Sequence, residues 1–222
     1  NGMFAFVLLD KISNKLFIVR DRFGVKPLHY YENEKGIFFG SEIKSILCLV
    51  EERVSMNTDV LSEWSYYGNS LGENTFYKGI KKLLPGHFLE IDLNTFKLDC
   101  HSYWQPESLA LKNNTNSCGV DTIVKNVKEL LENSVKRQLV SDVPVGVFLS
   151  GGIDSSAITA FAAKHYGSQL KTYSVGFDFD KGVNELPNAK KIAEKFGTDH
   201  HELKISGYDL VDTLELLVHH HD

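Results

Sequence analysis

Short runs rich in apolar, aromatic and β-branched residues recur along the first hundred residues. Turn-forming residues, such as those from Asp10 to Asn14 and from Asn33 to Gly36, separate these runs. The aromatic and β-branched runs between the turns predict four antiparallel strands in a meander, at residues 3–9, 15–19, 28–31 and 37–40.

Two helices and a hairpin are predicted after these strands. The first helix spans residues 41–49, with Ser41 as its cap. The second begins at residue 57 or 58 and places three apolar side chains on one face, those of Val60, Leu61 and Trp64. Residues 87–92 and 97–103 then read as a closing hairpin.

A polar run at residues 112–117 separates this part of the chain from the next. Such a run of asparagine, threonine and serine is typical of a connecting segment. We therefore predict a domain at residues 1–104, a linker at 105–120 and a second domain at 121–222.

The second domain begins with an amphipathic helix at residues 121–139. Its apolar stripe, which is expected to be core, consists of Val124, Val127, Leu130, Leu131 and Val135. Three strands then alternate with three helices, at residues 145–149, 157–164, 171–177, 188–196, 200–205 and 208–218. Repeated strand–helix units predict a parallel sheet, so the fold class is α+β followed by α/β.

Composition excludes several classes of partner. The 222 residues carry a net charge of −5 and no block of lysine or arginine, so neither nucleic acid nor a membrane is expected as a partner. No apolar run reaches the length of a membrane span. Cys48, Cys100 and Cys118 are widely spaced and read as reduced thiols, which favours a cytoplasmic location.

The loop after the first strand of the second domain carries the strongest chemical signal. The apolar residues 145–149 are followed by Ser150-Gly151-Gly152, and Asp154 and Ser155 stand where a helix would begin. Glycines allow a phosphate to approach the backbone, and the N-terminus of a helix attracts anions. The hydroxyls of Ser150, Ser155 and Ser156 add donors, and the carboxylate of Asp154 suits Mg²⁺. The alternative is an ordinary turn in which Asp154 and Ser155 only cap the helix.

Ser-Gly-Gly-Ile-Asp-Ser-Ser at residues 150–156 resembles the pyrophosphate-binding loop of the N-type ATP pyrophosphatases. Blocks in the first domain resemble the later part of a class II glutamine amidotransferase; they lie at residues 2–6, 20–28, 40–45 and 75–87. In this order the blocks are similar to the glutamine-hydrolysing asparagine synthetase family. The resemblance implies the C-terminal part of an N-terminal-nucleophile glutaminase sandwich, followed by the first half of an ATP pyrophosphatase domain of the adenine nucleotide α-hydrolase type.

The resemblance also implies an activity and a set of site residues. The expected enzyme is an ATP-dependent carbon–nitrogen ligase that amidates aspartate with ammonia from glutamine. It is expected to use ATP and Mg²⁺, to take the small-molecule substrates aspartate, glutamine and ATP, and to form a homodimer. The resemblance implies that the backbone of Leu149 and Val175 binds the nucleoside. These two residues would bracket one crevice at the carboxyl ends of their strands. It also implies that Mg²⁺ is bound by Asp154 and that the pyrophosphate is bound by Ser150, Gly151, Gly152, Ser155 and Ser156.

Some expectations stay open. Glu185 and Asn188 match a segment of the family, but helix capping also explains Asn188. The chain reads as an internal fragment without the N-terminal catalytic cysteine of the glutaminase, so no catalytic residue is assigned and the fragment alone is expected to be inactive. Alternatives are a relative that adenylates another carboxylate, such as a β-lactam synthetase, and a degenerate module without activity.

Overall fold

The computed structural model describes residues 2–106, 119–166, 170–178 and 184–221. These residues divide into two compact units, 2–106 and 119–221, and each is described by itself. Residues 107–118, which make up most of the predicted linker, lie outside the described residues.

The first unit is built on antiparallel strands, as the strand-like runs and turn-forming residues of its sequence predict. Its strands are β1 (Ala5–Asp10), β2 (Lys15–Arg20), β3 (His29–Asn33), β4 (Gly36–Gly40), β5 (Lys81–Lys82), β6 (His87–Asp92) and β7 (Leu98–Ser102). They form two sheets, one with the order β1-β2-β6-β7 and one with the order β4-β3-β5. The predicted hairpin is confirmed as β6 and β7, which pair antiparallel.

The prediction of a single meander through the first four strands is wrong. β2 pairs with β6 and not with β3, so the chain leaves the first sheet after Arg20. The cause is the loop between β2 and β3, which is held by Asp21. Its carboxylate is 1% exposed and accepts four backbone N–H groups, from Phe4, Phe23, Val25 and Lys26, at 2.9–3.3 Å.

The neighbouring Arg20 supports the same loop. Its guanidinium donates to the carbonyl oxygens of Lys26 at 2.9 Å and Gly24 at 2.8 Å. It also donates to the carbonyl of Leu83, which precedes β6. Arg20 and Asp21 therefore build the turn through bonds to backbone groups.

Two helices of the first unit lie close to their predicted positions. They are α1 (Ile43–Leu47) and α2 (Thr58–Tyr67). Ser41 does not cap α1, because Glu42 occupies the N-cap position and makes no side-chain capping bond. On α2 only Val60 is buried, whereas Leu61 and Trp64 are 43% and 49% exposed.

The core of the first unit draws on both of its sheets. Ile18 of β2, Tyr30 of β3 and Leu89 of β6 are buried in one cluster. A second cluster joins α1 to Ile80, through Ile43 and Ile46. Side chains from separate strands and a helix thus bury each other, which is the main stabilising contribution available to such a unit.

The second unit has the α/β order that its sequence predicts. Its elements are α3 (Val120–Gln138), β8 (Gly146–Phe148), α4 (Ile153–Tyr166), β9 (Lys171–Phe177), α5 (Leu186–Phe196), β10 (Asp199–Ile205), α6 (Gly207–Asp212) and α7 (Leu214–His221). The three strands are parallel, in the order β10-β9-β8. The single helix predicted at 208–218 is two helices, and the first begins with a capping box made by Ser206 and Asp209.

The apolar stripe of α3 is not core, contrary to the prediction. Val124, Val127 and Leu130 are 57–68% exposed, and Val135 alone is buried. The reason is that α3 meets α4 only towards its C-terminal end, where Glu132 binds Lys164 and His165.

One face of the parallel sheet is also open. α4 packs against Val147 of β8, α5 packs against Leu149, which follows β8, and Ser174 of β9 is buried as well. The opposite residues are exposed: Phe148 by 82% and Phe177 by 49%. The prediction that residues 145–149 form a buried strand is therefore wrong for Phe148. None of the helices formed by the described residues combines the length and the hydrophobicity needed to cross a membrane.

Candidate functional site

The loop from Leu149 to Gly152 connects β8 to α4 and lies at the carboxyl end of the parallel sheet. Leu149 is fixed on the neighbouring strand, because its N–H donates to the Tyr173 carbonyl at 2.8 Å. The buried hydroxyl of Ser174 donates to the Leu149 carbonyl in turn. Both backbone groups of Leu149 are thus satisfied, and the residue is only 2% exposed.

The hydroxyls of Ser150 and Ser155 bind each other at 2.9 Å. Ser155 Oγ also accepts the Ser150 N–H and donates to the Gly152 carbonyl, both at 3.3 Å. Ser150 Oγ accepts the Gly152 N–H at 3.4 Å. The two serines therefore close the loop on itself, a role that their positions in the sequence did not indicate.

Gly151 is required by its conformation and by its packing. Its φ is +79°, in the left-handed region that favours glycine. A Cβ at this position would lie 2.7 Å from the backbone nitrogen of Ala189 and 2.8 Å from atoms of Asn188. The loop therefore packs directly against the first turn of α5, and no side chain fits between them.

Replacing Gly151 by alanine is expected to lower the free energy of unfolding by about 2–3 kcal/mol, because the strained φ and the backbone clash add. Urea denaturation measures the change. Gly119→Ala is the control, since a Cβ there meets no atom within 4 Å. Equal effects of the two substitutions would contradict the packing argument.

Ser156 presents the clearest unsatisfied group of the site. Its Oγ is shielded from solvent and has no hydrogen-bond partner among the described residues. A buried hydroxyl without a partner is costly, and in native structures it usually indicates a missing water, ion or ligand. Asp154 lies in the same first turn of α4 and is exposed. The free N–H groups of this turn and its helix dipole make it suitable for an anion.

A cleft of about 310 Å³ lies beside the loop. Leu149 and Val175 both line it, as the parallel arrangement of β8 and β9 predicts. Ser150 lines it as well, and Glu185 and Leu186 do so from the start of α5. The cleft and the phosphate-type loop are therefore continuous through Leu149 and Ser150.

Sequence reasoning missed Ser174 and Ala189 as contributors to this site, and it offered Asn188 a different role. Ser174 positions Leu149, and Asn188 and Ala189 shape the loop through Gly151. Asn188 is not the cap of α5: the helix begins two residues earlier, and the Asn184 side chain accepts the Leu186 N–H at 3.1 Å. The one available signal was the pair of polar residues, Thr172 and Ser174, at inward positions of an otherwise apolar strand.

The described cysteines do not join this site. Cys48 and Cys100 are free thiols on the first unit. Neither is an N-terminal residue, so neither has the free amine that an N-terminal nucleophile uses as its base. Cys118 lies outside the described residues.

Two models of known protein domains match this chain. The glutamine amidotransferase domain model matches residues 1–104, and the asparagine synthase model matches residues 126–222. Among solved structures, the NH3-dependent NAD synthetase of Campylobacter jejuni aligns with 43% of the chain and 40% of its own at 13% identity, with a TM-score of 0.33, which is too low to support an argument.

Three curated relatives illustrate the similarity in sequence. Asparagine synthetase [glutamine-hydrolyzing] 3 of Bacillus subtilis is 42% identical over 97% of the chain, and its paralogue 2 is 39% identical over 78%. Amidase chry2 of Gibberella zeae is 32% identical over 96%. The chain spans 36%, 24% and 33% of the length of these relatives, respectively. The two matching domain models and the asparagine synthetase relatives place the chain in the glutamine-hydrolysing asparagine synthetase family.

Proposed function

We propose that this chain is part of an enzyme that makes asparagine with ATP. In the proposed reaction the β-carboxylate of aspartate attacks the α-phosphorus of ATP and pyrophosphate leaves. Ammonia released from glutamine then attacks the β-aspartyl carbon, and AMP departs to leave asparagine. The observation that carries the proposal is the loop from Ser150 to Ser156. Its packing allows only glycine at position 151, and the buried hydroxyl of Ser156 has no hydrogen-bond partner among the described residues.

The loop residues are suited to hold the departing pyrophosphate. Gly151 and Gly152 leave the backbone open to phosphate oxygens, and Ser156 has a hydroxyl to donate. Ser150 and Ser155 are given the same role in this proposal, and the bond between their hydroxyls also orders the loop. Donors aimed at the phosphates stabilise the negative charge that develops as the bond between the α- and β-phosphates breaks.

The nucleoside is assigned to the cleft beside the loop. Leu149, which follows β8, and Val175 of β9 both line it. In an open parallel sheet a ligand is expected at the carboxyl ends of the strands, which agrees with this position.

The residues fit a magnesium ion at Asp154. Mg²⁺ is usually bound by one or two carboxylates together with phosphate oxygens, and Asp154 is an exposed carboxylate on the first turn of α4. When bound, the ion supplies positive charge against the phosphate oxygens. Asp154 would hold it at the start of α4.

We further propose the domain organisation predicted from sequence. Residues 1–104 form the C-terminal portion of the glutaminase sandwich, residues 105–120 a linker, and residues 121–222 the first portion of the ATP pyrophosphatase domain. The interval between the two domain-model matches, 105–125, supports the linker. The antiparallel sheets of the first unit and the parallel sheet of the second support the two fold types.

The proposed function predicts exchange of labelled pyrophosphate into ATP that depends on aspartate. The full-length gene product is incubated with Mg-ATP and labelled pyrophosphate, with and without aspartate, and ATP is then counted. Exchange should rise at least about tenfold with aspartate, since only the adenylated acceptor can return its AMP to pyrophosphate. Glutamate, which is one methylene longer, is the matched control and should support much less exchange.

A second acceptor is considered because of the similarity to a protein named as an amidase. Exchange that depends on a carboxylate other than aspartate would favour this alternative. Absence of exchange with every carboxylate tested would contradict the proposed ligase reaction itself.

A further inference from the structure

Glu185 supplies the one carboxylate among the described residues that line the cleft beside the phosphate loop. The others are apolar, aromatic or hydroxyl-bearing, and they include Leu149, Ser150 and Val175. A carboxylate at the wall of a nucleotide cleft calls for an explanation, because it would repel the phosphates of the ligand.

None of the described residues forms a hydrogen bond or an ion pair with the side chain of Glu185. Glu185 occupies the N-cap position of α5 but forms no side-chain capping bond. Asn184 satisfies the start of the helix, through its bond to the Leu186 N–H. Glu185 contributes only its carbonyl, which accepts the N–H groups of Asn188 at 3.1 Å and Ala189 at 3.0 Å. Removing the carboxylate should therefore leave the fold intact.

The position of Glu185 relative to the loop indicates which part of a nucleotide it would contact. Residues three and four apart lie on the same side of a helical turn, so Glu185 lies on the side of Asn188 and Ala189. These two residues are the ones that contact Gly151. Glu185 thus lines the cleft assigned to the base, and it does so from the turn of α5 that contacts the loop assigned to the phosphates.

The part of ATP that joins base and phosphates is the ribose, whose two hydroxyl groups are donors. A carboxylate is a pure acceptor and pairs well with a diol, as acidic residues do in other nucleotide folds. Asp154, the proposed magnesium ligand, does not line this cleft. We propose that Glu185 recognises the 2′- and 3′-hydroxyls of the ribose and so selects ribonucleotides. This inference rests on the proposed function, because it requires a nucleotide in the cleft.

Calorimetric titration of the full-length gene product with Mg-ATP, Mg-2′-deoxy-ATP and Mg-3′-deoxy-ATP tests the proposal. The unchanged protein should bind ATP about tenfold more tightly than either deoxynucleotide, the effect of one charge-assisted hydrogen bond. Glu185→Ala should weaken ATP about 100-fold, by two such bonds, and each deoxynucleotide about tenfold, by the one bond it retains, so that the preference for ATP is lost. Glu185→Gln, which keeps an acceptor but no charge, should fall between them.

Glu194→Gln is the matched control. Glu194 lies further along α5 and lines a separate cavity near His200, so the preference for ATP should be retained. Equal weakening of all three nucleotides by Glu185→Ala would overturn the proposal, as would recovery of ATP affinity at high Mg²⁺, which indicates a metal ligand. If the unchanged protein binds ATP without any preference for ribose, the inference about Glu185 fails and the proposed function stands. If it binds no nucleotide, both fail.

Discussion

Asp154→Ala should abolish exchange between ATP and pyrophosphate in the full-length enzyme, with a loss of at least about 1000-fold. The carboxylate on the first turn of α4 is the one group of the loop suited to hold a divalent cation against the phosphates. Without it, the negative charge that develops on pyrophosphate is left to the neutral donors of the loop. Glutamine hydrolysis should continue, because it is assigned to the other domain.

Two activities measured on the same preparation test this prediction. Exchange is followed with labelled pyrophosphate, and glutaminase activity by the release of glutamate. Asp142→Ala is the control, because Asp142 is an exposed carboxylate just before β8 and has no assigned role. Exchange at the original rate in Asp154→Ala would refute the assignment of the metal ligand. Loss of both activities would indicate a folding defect instead.

Asp21→Asn should destabilise the first unit by about 3 kcal/mol, since the amide turns one of the two acceptor oxygens into a donor. That donor would face backbone N–H groups that have no other partner at this buried position. Urea denaturation gives the change. Asp10→Asn is the control, because Asp10 also accepts two backbone N–H groups but lies in an exposed turn. A destabilisation no larger than that of the control would contradict the role given to Asp21.

The same carboxylate predicts how stability depends on pH. Burial raises the pKa of Asp21, but its four backbone hydrogen bonds outweigh burial and hold the pKa below its ordinary value. A lowered pKa means that the folded state favours the charged form. This contribution is therefore complete above the unfolded pKa of about 3.9 and is lost as the pH falls through the lower, folded value. The Asn variant should show a flatter dependence of stability on pH below about 4.

Much of the secondary structure followed from the sequence, because periodicity reports local burial. The strand at Lys171–Phe177 has its predicted ends, and the helix predicted at 121–139 forms within one residue of its limits. The hairpin of β6 and β7 also followed, since its turn residues lie between two runs of strand period. These features depend on neighbours in sequence.

The predictions that were wrong concern contacts between residues that are distant in sequence. Pairing of β2 with β6 could not be read from either strand, because it follows from the way Asp21 redirects the chain. The stripe of α3 has the period of a buried face, but period alone does not say that a partner is present. Its exposure followed only from the limited contact of α3 with α4.

The candidate site also combines features that the sequence predicted with features that it did not. The motif predicted a loop between a strand and a helix, and the crevice shared by Leu149 and Val175 followed from the geometry of parallel strands. The mutual bonding of Ser150 and Ser155 did not follow, because a list of hydroxyl groups does not say which of them bind each other. Glu185 was noted in the sequence, but its place in the cleft required the fold.

The contact of Gly151 with the backbone of Asn188 and Ala189 has a practical consequence for engineering. A graft of the short serine- and glycine-rich signature into an unrelated strand–helix junction would lack the surface that supports it from behind. A successful transplant must carry α5 along with the motif, together with the strand that joins them. The smallest portable unit is thus β8 to α5, and a peptide of the signature alone should show no affinity for pyrophosphate.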